Sequence, residues 1–277
     1  MHRSLTQRLF AHAVLLAGVL FLIVPVLLVF AASTQPTSVL VAEGLSLVPG
    51  RHGLENFRTI LTLQAGFTDQ IIATDMLRNS MIVATGIGVA TTGLSLLAAY
   101  GLVMFRLPPA GAFFWITLAT LLLPLESRFI TTFQITSYLG LINTHTGMIL
   151  PAVMVALGTL FFRQLFLSFP GEYIEAARLD GAGPVRFFVD FILPLSRERG
   201  GAVFVVSFMI GWNQYLWPLM ISTDERHYTL VRGIRLIGQE SGPGMALVVL
   251  TILPPLLLVI LFQRWFLRAL EETRDAF

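Results

Sequence analysis

The sequence contains no cysteine and no lysine, and only 12% of its 277 residues are charged. Without cysteine the chain has no disulfide, no thiolate metal site and no thiol nucleophile. Without lysine it has neither a Walker A loop nor a pyridoxal-phosphate Schiff base. A soluble domain of this size carries about twice this charged fraction. The scarcity of charge, with a mean hydropathy of +0.78, therefore indicates a protein whose solvent is lipid.

Motifs of enzymes are also missing. The five histidines are scattered, and neither HExxH nor GxSxG occurs, so we predict no catalytic residue, no metal site and no cofactor on this chain. The apolar stretches hold no ionisable side chain except His12. Proton-coupled carriers place such groups at mid-depth, so this class is disfavoured, while a sodium-coupled carrier stays open as an alternative.

Six stretches are long and apolar enough to approach the roughly 20 residues that a membrane-spanning helix needs. We therefore predict an all-α membrane protein forming a single domain, 1–277. Polar residues between Thr131 and Thr146 are interpreted as a surface or re-entrant connection. The predicted spans are 9–32, 79–105, 107–125, 147–162, 200–222 and 244–263.

The first stretch has a second interpretation as a signal peptide, since arginines precede it and Ala31 and Ala32 end it. Its apolar run is longer than the usual 7 to 15 residues of a signal sequence, which favours a retained span. With both termini on one side, eleven arginines lie on that side and seven on the other. This bias predicts cytoplasmic termini, an external loop at 33–78, a cytoplasmic loop at 163–199 and a cytoplasmic tail at 264–277.

The sequence of the cytoplasmic loop predicts two short helices joined by a turn. We place Glu172 and Glu175 in the first turn of the first helix, where the helix dipole favours acids. Gly181 or Gly183 is suited to the left-handed conformation that ends a helix, and Pro184 is suited to begin the next one. Without further information this pattern is also typical of an ordinary amphipathic loop.

The order of residues in this loop resembles the EAA motif of ABC importer permeases that depend on a binding protein. That motif is Glu-Ala-Ala, three residues, Gly, nine residues, then Ile-x-Leu-Pro. Phe191 replaces the isoleucine and keeps that position apolar. The matching residues, with the Asp-Gly-Ala variant common in the family, are Glu175, Ala176, Ala177, Asp180, Gly181, Ala182, Leu193 and Pro194.

The resemblance implies the six-span fold of type I, maltose-permease-like importers, in which a coupling helix docks on an ATPase subunit. It implies four kinds of partner: a second homologous permease, an ATPase dimer that holds ATP and magnesium, an external solute-binding protein and the lipid of a bacterial inner membrane. No nucleic-acid partner is expected. The tail at 264–277 is interpreted as a solvated helix end, with an ATPase contact as the alternative.

Several segments are most similar to permeases of sn-glycerol-3-phosphate importers. These are Leu-Pro-Leu-Glu-Ser-Arg (123–128), Phe-Arg-Gln-Leu-Phe (162–166), Gly-Trp-Asn-Gln-Tyr-Leu-Trp-Pro-Leu (211–219), and the pairs at 254–255 and 263–264. The resemblance implies glycerol-3-phosphate or a glycerophosphodiester as cargo, with an uncharged sugar or oligosaccharide as the alternative.

Polar residues within or beside the spans are candidates for the solute pathway. Two amides and a phenol inside a span are costly unless they face protein or water. The alternatives are interfacial aromatics, hydrogen bonds between helices and an arginine that reaches the headgroups. A phosphorylated cargo favours an arginine near the pathway. The candidates are Glu126, Arg128, Trp212, Asn213, Gln214, Tyr215 and Trp217.

Overall fold

The computed structural model describes residues 5–62, 72–105, 109–122, 125–179, 181–236 and 241–274. Every regular element within these ranges is helical, which confirms the all-α fold class. Asp180 and residues 275–277 lie outside the described part of the chain, as do the side chains of Glu126, Ala176 and residues 264–274.

The α-helices follow one another with short 3₁₀ and π turns between them. Their bounds are α1 Leu5–Ala32, α2 Thr37–Glu43, α3 Gly53–Thr62, α4 Ala73–Met104, α5 Ala110–Ala119, α6 Phe129–Tyr138, α7 His145–Ile149, α8 Val155–Leu167, α9 Gly171–Leu179, α10 Pro184–Phe187, α11 Leu193–Leu195, α12 Arg197–Trp212, α13 Leu216–Ile221, α14 Leu230–Gly233 and α15 Gly242–Arg274.

Three described helices are long and apolar enough to cross a membrane: Leu9–Ala32, Ala73–Met104 and Gly242–Gln263. The pair formed by His145–Ala152 and Val155–Leu167 passes the same test as one span bent by 50°. A shorter apolar helix covers Ala110–Leu122, within the third predicted span. The six-span count stays a prediction, because the third and fifth predicted spans correspond to shorter helices.

Two predicted spans are interrupted. In the fourth, Val153 and Met154 leave the helical region, with ψ angles of 120° and 65°. In the fifth, α12 ends at Trp212 and α13 begins at Leu216. The ring of a proline clashes with the carbonyl four residues earlier in a helix, so Pro218 disfavours a helix that continues through Gln214, although Pro25, Pro254 and Pro255 lie inside continuous helices. The polar segment interpreted as a connection contains a ten-residue helix, α6.

Contacts divide the chain into two compact units, the first comprising 1–77 and 230–253 and the second 78–229 and 254–277. In the first unit, the buried amide of Asn56 donates to the carbonyls of Ser33 and Gln35, both at 2.9 Å. A Cβ atom at Gly242 would lie 2.4 Å from the Gln35 carbonyl oxygen, so this approach of two segments requires glycine.

The second unit holds two buried apolar clusters. The first, here the α9 cluster, joins α4, α8, α9 and α12 and consists of Leu96, Ala99, Tyr100, Phe162, Leu165, Phe166, Ala177, Phe187, Ile192 and Val203. The second, here the Trp217 cluster, consists of Val83, Ile87, Met148, Ala152, Trp217 and Ile221. The two clusters hold the two candidate sites described below.

Candidate functional site

Helix α9 forms the first half of the EAA loop. Glu172 lies in its first turn, as predicted, whereas Glu175 comes one turn later, because the helix begins already at Gly171. Of these two glutamates, Glu172 thus has the position that the helix dipole stabilises more.

The end of α9 is a Schellman motif. Gly181 has a φ of 71°, and the amide of Ala182 donates to the carbonyl of Ala177 at 2.9 Å. This is the six-to-one hydrogen bond that such a motif makes when glycine occupies the first position after the cap. Of the two glycines proposed for this role, the structure selects Gly181.

The two faces of α9 differ in burial. Ala177 is only 2% exposed and belongs to the α9 cluster, against which Ile174 and Ala182 also pack. Leu179 is 88% exposed, and Glu175 is exposed as well. The EAA residues therefore divide into a face that fixes the helix to this chain and a face that is available to a partner.

The second half of the loop is tied to α4. Pro184 is the first residue of α10, as predicted, and its carbonyl accepts a 2.8 Å hydrogen bond from the Tyr100 hydroxyl. A π turn over Phe188–Ile192 follows, and then α11, where Leu193 and Pro194 are exposed. Tyr100 thus connects the EAA loop to a membrane-spanning helix.

A cavity of about 380 Å³ lies behind α9. Its walls come from α9, from the start of α10 and from the end of α4. Its lining consists of Tyr100, Val103, Met104, Phe105, Gly171, Ile174, Glu175, Ala177, Ala182, Pro184 and Phe187.

A second cavity, of about 300 Å³, lies beside the break between α12 and α13. The residues that line it come from α6, from the bend between α7 and α8, and from the break itself. They are Arg128, Phe129, Thr132, Pro151, Ala152, Asn213, Gln214, Tyr215, Leu216 and Trp217. Five of the seven pathway candidates therefore meet at one cavity.

Three polar side chains at this break, those of Asn213, Gln214 and Trp217, have different surroundings. The Asn213 amide donates to the Met209 carbonyl at 2.8 Å, which closes the end of α12. The Trp217 indole donates to the Gly147 carbonyl at 3.1 Å and joins α13 to α7. The Oε1 atom of Gln214 is buried and has no hydrogen-bond partner among the described residues.

Trp212 does not line this cavity. It is 2% exposed, and its ring is stacked on Phe208 at 5.7 Å with an interplanar angle of 18°. Its position is that of a core aromatic. Thr132, Pro151 and Ala152 line the cavity but were not among the candidates, because their positions depend on how distant segments pack.

The arrangement of this cavity suits a small polar solute. Arg128 supplies a guanidinium, the group best matched to phosphate or carboxylate, and Gln214 supplies a buried acceptor. Tyr215 and Trp217 supply aromatic surface. Transporter sites of this kind form where helices are interrupted and side chains replace water around the solute.

Comparisons with known proteins found relatives that match 96% of the chain. The chain is 38% identical over 276 residues to the sn-glycerol-3-phosphate transport system permease protein UgpE of Brucella melitensis, covering 96% of this chain and 97% of the relative. Its identity to the UgpE proteins of Yersinia pestis and Pectobacterium atrosepticum is 40% over 271 residues and 41% over 272 residues, with 96% of each chain covered. No family model matches the chain.

A solved structure has the same fold. It is a bacterial ABC transporter involved in the import of the acidic polysaccharide alginate, and the match has a TM-score of 0.80 at 19% identity. The match covers 96% of this chain and 99% of that chain.

Proposed function

Since the chain belongs to the family of UgpE transport permeases, we propose that its cargo is sn-glycerol-3-phosphate or a glycerophosphodiester. Family membership makes the chain a permease subunit of an ABC importer, located in the bacterial inner membrane, and not an enzyme. We propose in addition which solute the chain transports and which residues bind that solute.

An ABC importer permease works with an ATPase, a solute-binding protein and another permease. The arrangement we propose has one copy of this chain, one homologous permease, two ATPase subunits that hold ATP and magnesium, and one binding protein. This chain contributes six spans and half of the pathway, with both termini in the cytoplasm.

The coupling role is assigned to the EAA loop. The exposed face of α9, with Glu175 and Leu179, is the part that an ATPase subunit grips. Its buried face is fixed to the α9 cluster through Ala177, and Tyr100 connects the following turn to α4. Motion of the ATPase dimer is thereby transmitted to a spanning helix.

Within this chain, one observation supports the cargo assignment, the meeting of Arg128 and Gln214 at the cavity beside the helix break. Glycerol-3-phosphate combines a phosphate with two hydroxyl groups. Arg128 is suited to the phosphate, and the side-chain amide of Gln214, which lines the same cavity, is suited to a hydroxyl. Tyr215 and Trp217 contact the carbon chain.

The test is ATP-dependent uptake of radiolabelled glycerol-3-phosphate into proteoliposomes that hold the complete importer, with excess maltose as competitor. A hydrogen bond to a charged group contributes about 1.5–3 kcal/mol. Arg128→Gln is therefore expected to reduce uptake by roughly 10–100-fold, since each 1.4 kcal/mol is a factor of ten. Arg128→Lys keeps the charge and is expected to retain part of the uptake.

Arg51→Gln is the matched control, because Arg51 is an exposed arginine that belongs to the other unit, and it is expected to leave uptake unchanged. Uptake of maltose but not of the phosphate ester would make the uncharged sugar the cargo and leave the permease role intact. Transport by this chain alone on a sodium gradient would overturn the coupling role.

A further inference from the structure

The segment that follows α1 carries no formal charge for ten residues, from Ser33 to Ala42. Helix α1 is a membrane span of mean hydropathy 3.1 that ends at Ala32. After it the chain forms α2 and then an irregular stretch that leads to α3. In an aqueous loop a charge-free run of this length is unusual for a protein surface.

The irregular stretch folds back onto the end of α1. The side-chain amide of Gln35 donates to the Val48 carbonyl at 2.8 Å, and the Gly50 amide donates to the Thr34 hydroxyl at 2.7 Å. The His52 amide donates to the Thr34 carbonyl at 2.9 Å. Residues 48–52 are therefore held beside positions that come two and three residues after the span.

Four apolar side chains of this segment are exposed. We name them the post-span patch: Val41 at 65%, Leu45 at 54%, Leu47 at 54% and Val48 at 67% exposure. On α2, Glu43 follows Val41 by two positions, which places the two side chains on roughly opposite sides of the helix. The apolar and charged groups of the segment are thus separated.

The geometry points to the lipid headgroup region as the occupant of this surface: we propose that the post-span patch inserts into the interface of the bilayer that α1 crosses. A helix rises about 1.5 Å per residue, so Thr34 lies about 3 Å beyond Ala32 along the helix direction. The headgroup region extends about 5–8 Å beyond the hydrocarbon on each side. The backbone of residues 48–52, which is hydrogen-bonded to Thr34 and Gln35, therefore lies within the headgroup region.

Interfacial segments bury apolar side chains about 5–10 Å deep at the boundary of headgroups and acyl chains. The post-span patch has the corresponding composition: its exposed side chains are valine and leucine, and Glu43 and Arg51 are the exposed charged side chains of the segment. A protein partner would also cover apolar side chains, but continuity with α1 and the run without charge favour lipid. The inference requires only that α1 spans the membrane, and it is independent of the cargo.

The absence of cysteine from the chain allows a direct test. Leu47→Cys and Val41→Cys are each labelled with a nitroxide in the complete importer, reconstituted in vesicles of phosphatidylethanolamine and phosphatidylglycerol. Collision rates with oxygen, which concentrates in lipid, and with a water-soluble nickel chelate are compared. Glu43→Cys is the matched control, since it is a neighbouring exposed position with a charged side chain on the opposite side of α2 from Val41.

We expect the labels at positions 41 and 47 to collide more with oxygen than with nickel, and the label at position 43 to show the reverse order. Uptake by each labelled importer confirms that it is folded, and Leu45→Cys replaces any variant that fails this check. A label at position 47 that nickel reaches freely would place the patch in water and overturn the proposal. Low collision rates with both reagents would show that protein covers the patch, which also overturns it.

Discussion

The side-chain amide of Asn143 makes hydrogen bonds to Thr223 through both its oxygen atom and its nitrogen atom. The Oδ1 atom accepts from the Thr223 backbone amide at 2.6 Å, and the Nδ2 atom donates to the Thr223 hydroxyl at 2.9 Å. The same Oδ1 atom accepts from the Asp224 amide at 2.9 Å. Asn143 also has a φ of 57°, a left-handed conformation that asparagine tolerates better than most residues.

Two substitutions at Asn143 separate the contribution of its side-chain hydrogen bonds to stability from that of its backbone conformation. Asn143→Gly accepts the positive φ but loses the side-chain bonds, and we expect a loss of about 1–3 kcal/mol. Asn143→Ala adds a left-handed backbone penalty of roughly 1–2 kcal/mol. Thermal unfolding of the purified importer should therefore rank wild type above Asn143→Gly and Asn143→Gly above Asn143→Ala. Equal stability of the glycine and alanine variants would contradict a role for the backbone conformation.

Gly181 and Gly183 provide a matched pair in the EAA loop. A Cβ atom at either position would have no described atom within 4 Å beyond its chain neighbours. Only Gly181 has a positive φ, while Gly183 has a φ of −66°. We expect Gly181→Ala to destabilise the end of α9 by about 1–2 kcal/mol and to lower uptake, and Gly183→Ala to do neither.

Coupling is measured as the ATPase rate that substrate-loaded binding protein stimulates in the reconstituted importer. Gly181→Asn should recover part of the coupling, because asparagine adopts the left-handed conformation at lower cost. The same loss of coupling in Gly181→Ala and Gly183→Ala would show that partner contact, and not the Schellman motif, sets the requirement for glycine.

Gly158 lets α8 approach α4 closely. A Cβ atom there would lie 2.5 Å from the hydroxyl oxygen of Ser95, which is fully buried and donates to the Val155 carbonyl. We expect Gly158→Ala to destabilise the importer by about 1–3 kcal/mol, the usual cost of overpacking a core. Gly101→Ala, whose Cβ would meet no described atom within 4 Å, is the control, and equal effects in thermal unfolding would contradict the packing argument.

A substitution of Trp217 tests the contribution of the hydrogen bond that joins α13 to α7. Trp217→Phe keeps an aromatic ring but removes the indole donor and leaves the buried Gly147 carbonyl without it, which costs about 1–3 kcal/mol. We expect lower thermal stability and lower uptake. Trp115→Phe, at a position that is 69% exposed, should change neither, and a comparable loss there would show a general effect of losing tryptophan.

Local signals made the EAA loop predictable. Glycine and proline act through their own backbone angles, so the sequence placed the start of the second helix at Pro184 and the end of the first at Gly181 or Gly183, and the positive φ of Gly181 decides between the two. Which face of α9 is buried could not be predicted in this way. That Ala177 is buried while Leu179 is exposed depends on contacts with α4 and α8, which no local pattern specifies.

The break before α13 had a signal in the sequence. Pro218 disfavours a regular helix through Gln214, yet the stretch 200–222 is predicted to be one continuous span because no formal charge interrupts it. Hydropathy alone also does not show how a helix is rotated about its axis. Trp212 and Asn213 are neighbours in the sequence, but only Asn213 lines the cavity.

The bond between Trp217 and Gly147 has a mechanical consequence. It fastens α13 to α7, and Asn143 fastens the residues that precede α7 to those that follow α13. The two short helices are therefore held to each other twice, between the interruption at Val153–Met154 and the one at Asn213–Tyr215. Residues next to both interruptions line the cavity that Arg128 also lines, so a displacement of the two helices as a pair would change the shape of that cavity.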